Sequence, residues 1–165
     1  MPAVILDAAA IERLYRSRGH VVLRRARLLL GNEADAQEAL QEVFAALLRA
    51  PQDLRSAGSA LGWLYQATTH FCLNQLRNRR TGARLLQQSV APAFGAASGP
   101  SPEALAELRN LLARMPADAA AAAVYHHLDG MTHAEVAEML GCSRRQVGYL
   151  LERAQRSLEH LEQSA

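Results

Sequence analysis

THAEVAEMLGCSRRQVGYLLERAQR, running from Thr132 to Arg156, packs two helix starts and one helix stop into a dozen residues. Thr132 with Glu135 has the spacing of a capping box, in which each side chain satisfies the other's orphan backbone N–H. Ala134, Val136, Ala137, Met139 and Leu140 supply a short apolar face, and Gly141 stops the helix. Ser143 with Gln146 reads as a second capping box. The helix it opens carries Val147, Leu150, Leu151, Ala154 and Leu158 on one stripe. Two helices joined by so tight a turn form a helix-turn-helix. Ala137 is small enough for the second helix to approach, Gly141 allows the left-handed turn, and Val147 fills the angle. In DNA-binding versions the start of the second helix faces base edges in the major groove, which here means Ser143, Arg144, Arg145 and Gln146.

The rest of the composition agrees with an all-helical protein. The 165 residues allow one domain or two small ones, and half of them are apolar. Ala and Leu dominate while β-branched and aromatic residues are sparse, which favours helices over strands. The net charge of +2 says little, but its distribution says more. All 18 basic residues are Arg, and no acid occurs between Leu54 and Pro102. Acids gather instead in Glu33–Asp53 and Glu103–Asp118. Cys72 and Cys142 are seventy positions apart and offer no disulfide framework, so both are expected as buried free thiols. The opening residues have no basic leader, and no apolar run is long enough for a membrane span. A soluble, cytoplasmic chain with no membrane partner is expected.

Helical spacing organises the remainder. Ala8 to Leu30 reads as a long helix capped by Asp7, bent or broken near Gly19 and ended by Gly31-Asn32. Its arginines (Arg13, Arg16, Arg18, Arg24, Arg25 and Arg27) fall mostly off the apolar face. Glu33 to Ala50 is a second amphipathic helix, with Ala36, Leu40, Val43, Phe44, Leu47 and Leu48 on one side and Asp35, Gln37, Glu38, Gln41 and Glu42 on the other. Pro51–Gly58 is a loop. Ser59 caps a helix to about Arg80 that holds Trp63 early and Arg77, Arg79 and Arg80 late. SVAPAFGAASGPSP, Ser89 to Pro102, is rich in Pro, Gly, Ala and Ser and has no periodicity. It places a linker at 86–102 between helical domains at 1–85 and 103–165. A helix from Ser101 and another from Asp118 to Gly130 lead into the helix-turn-helix.

With these residues in order, the chain resembles a bacterial RNA polymerase sigma factor of the extracytoplasmic-function type. Asp35-Ala36 with Gln41-Glu42-Val43-Phe44 is similar to the family's polymerase-binding helix in region 2. Trp63-Leu64 and Leu73-Asn74-Gln75-Leu76-Arg77 look like the helix that reads the edge of melted promoter DNA. Met115-Pro116, Leu128-Asp129-Gly130-Met131-Thr132 and the helix-turn-helix resemble region 4. The resemblance implies that Asp35, Glu38, Gln41, Glu42 and Phe44 bind the clamp of RNA polymerase core, while region 4 also touches its flap. It implies that the loop with Arg55 captures an unstacked base of the minus-ten element, and that Trp63, Asn74, Arg77, Arg79 and Arg80 contribute to that DNA site. In region 4, Ser143, Arg144, Arg145 and Gln146 would read the minus-thirty-five element, with Arg153 on phosphates. Control by an anti-sigma factor is expected on the same analogy.

Several residues keep two readings at this level. Trp63 suits base stacking or core packing, and the terminal arginines suit phosphates or the helix macrodipole. The chain departs from the family pattern at Asn74, where Asp is more usual, and at Gly148-Tyr149-Leu150, where members carry further basic or hydroxyl residues. Base reading is therefore expected to rest on Arg144, Arg145 and Gln146, with the second half of the helix packed inward and Gly148 kept for a packing reason. His126, His127, His133 and Cys142 match no zinc spacing, and adjacent His126 and His127 should point to different sides. No catalytic constellation is present, so neither an enzyme nor a cofactor or metal is expected. A helix-turn-helix regulator acting without polymerase, or a degenerate sigma-like interaction module, remains an alternative from sequence alone.

Overall fold

A computed structural model describes residues 7–49, 60–82 and 100–164. Among these residues the chain forms seven α-helices, one π-helical turn and no strand. They are α1 (Ala8–Leu30), α2 (Glu33–Arg49), α3 (Ala60–Gly82), α4 (Pro102–Arg114), α5 (Ala117–Ala123) with the π-helical Val124–Leu128, α6 (His133–Leu140) and α7 (Arg144–Gln163). The chain divides into two units, and the division falls inside α3 between Cys72 and Leu73. The loop with Arg55 and most of the expected linker lie outside the described residues.

In the first unit α1 and α2 form a helical hairpin against the start of α3. Asp7 caps α1 by accepting from the Ala10 N–H at 2.8 Å, and Gly31 ends it at φ 81°, a left-handed conformation that costs glycine nothing. Gly19 does not break α1, which runs without interruption from Ala8 to Leu30. It is buried where α1 faces α2, and a Cβ there would meet the Leu40 side chain at 3.7 Å, an ordinary van der Waals contact. Ile11, Val22, Leu40, Val43, Phe44, Leu47 and Leu64 make the core, with Leu14, Leu23, Trp63, Ala67 and Phe71 packed on it. Arg25 is also buried. Its Nε donates to Thr69 Oγ1 at 2.7 Å and its guanidinium sits 4.9 Å from the centre of the Tyr65 ring, which offsets part of the cost of burying the charge. Nearby, burial pushes the Cys72 thiol up to about 12, an inert core group.

The α1–α2 turn is held by charge. Arg27 donates to both Glu33 carboxylate oxygens at 2.6 and 2.7 Å, and Gln37 donates to one of them at 3.0 Å. These bonds, Arg27 first, lower Glu33 from 4.5 to about 2. A depressed carboxylate contributes stability that is present above its unfolded value and lost as pH falls toward its folded one. Between pH 4.5 and pH 2, wild-type protein should therefore lose stability that Glu33→Gln never had. Thermal melts across that window check this, and parallel pH dependences of the two proteins would refute it.

The second unit starts with the last turns of α3 and is built around α5, α6 and α7. Leu73, Leu76, Leu112, Met115, Ala119, Ala120, Ala122, Val124, Tyr125, Val136, Val147 and Leu150 are buried. Ser101 caps α4 through the Ala104 N–H, with Pro102 at the first helical position where its missing N–H is harmless. The poly-alanine α5 has all four residues from Ala119 to Ala122 buried, which lets neighbouring backbones come close. Beyond it the helix widens into the π turn. Asp129 N–H bonds Val124 O and Met131 N–H bonds Tyr125 O, and Gly130 at φ 67° then turns the chain into α6.

Candidate polymerase and DNA interfaces

On α2 the apolar stripe faces the core and leaves Glu38, Gln41 and Glu42 exposed. Their spacing puts them on one helix face as a compact acidic-polar patch. Glu42 meets Arg49 only at 3.9 Å between side chains that are largely exposed, a pair worth little in water. Two other candidates on this helix are engaged internally. Phe44 is 5% exposed and meets the Tyr15 ring edge-on at 5.1 Å, so it holds the helix in place beneath the patch. Asp35 is half-buried at the helix start, where its N–H bonds Asn32 Oδ1 at 2.8 Å and its carboxylate accepts from the Asn32 amide. Asn32 thus caps α2, a role that the sequence pattern concealed.

Along α3 the candidates separate by environment. Trp63 packs on the first unit's core. Asn74 is exposed. Arg77 is half-buried and donates to the Met115 carbonyl at 2.9 Å, which satisfies the chain just beyond α4. Arg79 is half-buried too, and burial lowers its guanidinium below the ordinary value. Arg109 is lowered by burial and then by the charge of Arg79. The side chain of Arg80 lies outside what the structure describes.

The helix-turn-helix forms as its residues require. Glu135 N–H donates to Thr132 Oγ1 at 3.2 Å and Thr132 N–H donates to Glu135 Oε2 at 2.7 Å, completing the capping box and lowering the Glu135 carboxyl. Gly141 has φ 66°, and Cys142 N–H closes back on Ala137 O. Ser143 Oγ accepts from the Gln146 N–H at 3.0 Å; in this second cap the Ser143 half is what the structure shows. Val147 is 0% exposed, and Cys142 is half-buried rather than buried.

With Val147, Leu150 and Ala154 turned inward, Arg144, Arg145 and Gln146 stand exposed at the helix start. The second half of α7 does not pack inward as a whole. Tyr149 is 50% exposed, and Arg145, Tyr149, Glu152 and Arg156 follow one another at helical spacing along the outward line. That i, i+4, i+7, i+11 spacing is the sequence signal of this outward line. Arg153 is held from two sides, by Asp118 at 3.5 Å and by the Tyr149 ring at 5.9 Å. Gly148 has no packing reason either, because a Cβ there meets nothing within 4 Å. Gly148→Ala should raise helix stability by about 1 kcal/mol, an increase of several degrees in Tm, and a lowered Tm would contradict this.

His126 and His127 do not diverge as adjacent helical residues were expected to. Their rings meet edge-on at 4.8 Å within the π turn, and His126 also meets His133 at 5.0 Å. Nδ1 of His126 bonds the Met131 carbonyl at 2.7 Å, tying the π turn to the start of α6. Among the described residues no group of three His, Cys, Asp or Glu is placed to hold a metal ion. Among them, too, no helix is long and apolar enough to cross a membrane.

Comparison with known proteins finds two regions in this order, the first reaching past the Cys72–Leu73 division to the end of α3. Residues 14–81 match the model of sigma-70 region 2, and residues 105–158 match that of sigma-70 region 4. The chain is 29% identical over 147 residues to the ECF RNA polymerase sigma factor SigE of Mycolicibacterium smegmatis, covering 82% of this chain and 56% of that protein. It is 27% identical over 155 residues to the ECF RNA polymerase sigma factor SigM of Mycobacterium tuberculosis, covering 94% of this chain and 78% of the relative. The fold is similar to that of the sigma factor RpoE of Bartonella quintana, solved with the anti-sigma factor NepR (TM-score 0.57, 17% identity, 92% of this chain and 96% of that one). It is also similar to CnrH, solved with the cytosolic domain of CnrY (TM-score 0.56, 24% identity, 96% of this chain and 90% of that one).

Proposed function

Since the chain belongs to the sigma-70 family, in the extracytoplasmic-function type that joins region 2 to region 4, we propose that it is a transcription initiation factor: it binds RNA polymerase core and directs it to a subset of promoters in the cytoplasm. The observation that carries this reading is the pairing of both regions, in order, in one chain. A DNA reader alone would need only the second.

The parts divide the work. The Glu38–Gln41–Glu42 face offers carboxylates and an amide to a basic clamp surface, with Phe44 as its support from below. Residues 1–85 act as the polymerase- and minus-ten-binding domain, and 103–165 as the minus-thirty-five-binding domain that also touches the flap, joined through 86–102. Asn74 and Arg79 are the α3 residues best suited to promoter DNA, with Arg77 fixing the end of α3 to the chain after α4. On α7 the base-reading line runs from Arg145 to Tyr149, with Arg144 and Gln146 flanking it and Arg156 at the phosphates. Arginine can meet guanine in a bidentate pair and glutamine can meet adenine. Tyr149 adds a ring edge for a thymine methyl and a hydroxyl for the backbone. The factor itself performs no chemistry; bond formation stays with the polymerase. An anti-sigma protein as a further partner belongs to the same proposal, since the similar sigma factor RpoE of Bartonella quintana was solved with one.

In vitro transcription with core polymerase, across a library of promoter templates, tests the reading. Initiation that depends on this chain and on a defined upstream and downstream element is the expected result. Duplex binding without any polymerase binding would replace it by a stand-alone regulator.

A further inference from the structure

The outward face of α1 carries a line of arginines that none of the interfaces above uses. The opposite face of the helix is fixed in the core by Ile11, Val22, Ala26 and Leu29, and Gly19 is closed against Leu40. Arg13, Ser17, His20 and Arg24 therefore face solvent along one stripe, with Arg16 and Arg27 beside it. At 1.5 Å per residue the stripe from Arg13 to Arg24 is roughly 16 Å long. Arg16 is paired with Glu12 and Arg27 with Glu33, at the two ends. Arg13 and Arg24 make no ion pair or hydrogen bond with any described residue.

An ordinary solvated helix face mixes its signs, and this chain does so elsewhere: Arg156 on α7 has Glu152 four residues before it and Glu159 three after. Arg13 and Arg24 have no acid three or four residues away on either side along α1, and from Arg13 to Asn32 the chain holds six Arg and no Asp or Glu. Arg13 and Arg24 thus present positive charge that no acid on the same helix face answers.

We propose that this stripe is a docking surface for the phosphate backbone of duplex DNA, engaged when the protein holds a promoter, and the proposal in that last respect rests on the function given above. The chemistry favours nucleic acid over an acidic protein. Protein interfaces are built on an apolar or aromatic centre, and the stripe from Arg13 to Arg24 holds none, Leu28 lying one turn beyond it at 39% exposure, whereas phosphate contacts need only donors. The planar guanidinium fork matches phosphate oxygens, and the His20 ring stands between the two arginines as a further polar contact, while the Ser17 hydroxyl donates to the Leu14 carbonyl at 3.3 Å. Duplex fits better than single strand, because single-strand grooves stack bases on Phe, Tyr or Trp and the stripe carries no such residue. A duplex presents one charge about every 1.7 Å of axis, so a stripe of this length faces several phosphates.

The test compares full-length wild type, Arg13→Gln/Arg24→Gln and Arg13→Lys/Arg24→Lys, first reconstituted with core polymerase on a fluorescent promoter duplex and then as the free chain on an unrelated duplex. Dissociation constants are read against salt. The expected result is a slope of log Kd on log salt that falls by about two in the Gln variant and is kept by the Lys variant, with base preference unchanged. An unchanged slope in both settings overturns the proposal. So does a Gln variant that loses polymerase binding while keeping its slope, since the stripe would then face protein. If wild type neither binds core nor initiates, the proposed function fails on its own, and the free-chain slope still decides whether the stripe binds duplex. Both substitutions are at exposed positions, so circular dichroism melts of the three proteins should superimpose.

Discussion

Glu38→Lys combined with Glu42→Lys should cut binding to RNA polymerase core by about 100-fold or more and abolish promoter-dependent initiation, with the fold intact. Both side chains are exposed and one turn apart, and the long Glu42–Arg49 pair contributes little to stability. Reversing them sets two positive charges against a basic partner surface, and like charges facing each other cost several kcal/mol. Every 1.4 kcal/mol is a factor of ten in affinity. The measurement is a titration of labelled core with each protein, beside far-UV circular dichroism. Unchanged affinity would remove the α2 face from the interface. Phe44→Ala is the wrong probe for the same question. It removes a ring from the centre of the first unit's core, at a cost of about 3–5 kcal/mol, and loss of polymerase binding would then report unfolding.

Arg145→Ala should relax base preference at one upstream position and weaken binding to the preferred duplex by about 1–3 kcal/mol, while core binding is kept. The residue is exposed on the second turn-forming helix, at the head of the outward line, and packs against nothing whose loss would unfold α7. The double variant with Arg144→Ala should lose more, and a promoter library read by sequencing shows which base pair each residue reports on. Arg156→Ala is the control. As a phosphate contact it should weaken all sequences alike and leave the preference as it was. Equal losses on every template after Arg145→Ala would make that residue a backbone contact and move base reading to its neighbours.

The two grips differ in how far a linear reading reaches. The helix-turn-helix was legible in detail because its determinants are local: Thr132 with Glu135, Gly141 in a left-handed turn, Ser143 as a cap and Val147 in the angle all act within one or two helical turns. Family membership was legible too, since it rests on residue order along the chain. Helix positions in both units followed from apolar spacing, with Asp7, Gly31 and Ser101 setting the ends as their types dictate.

What depends on contacts between distant residues could be decided only by tertiary structure. Gly19 looked like a helix breaker, yet it is buried within an unbroken helix on the side that faces Leu40 of α2. Arg25 carries a charge that periodicity would put in water, and Thr69 and Tyr65, forty or more positions away, make its burial tolerable. Arg77 and Arg153 look like free cations in the sequence and are held by the Met115 carbonyl and by Asp118. Hydrophobic period and capping chemistry are properties of neighbours in the chain, so the sequence by itself determined the helices, their order and the family. Whether a given Arg, Gly or Phe meets a partner or a ligand depends on what the fold brings opposite it, and no spacing along one helix contains that information.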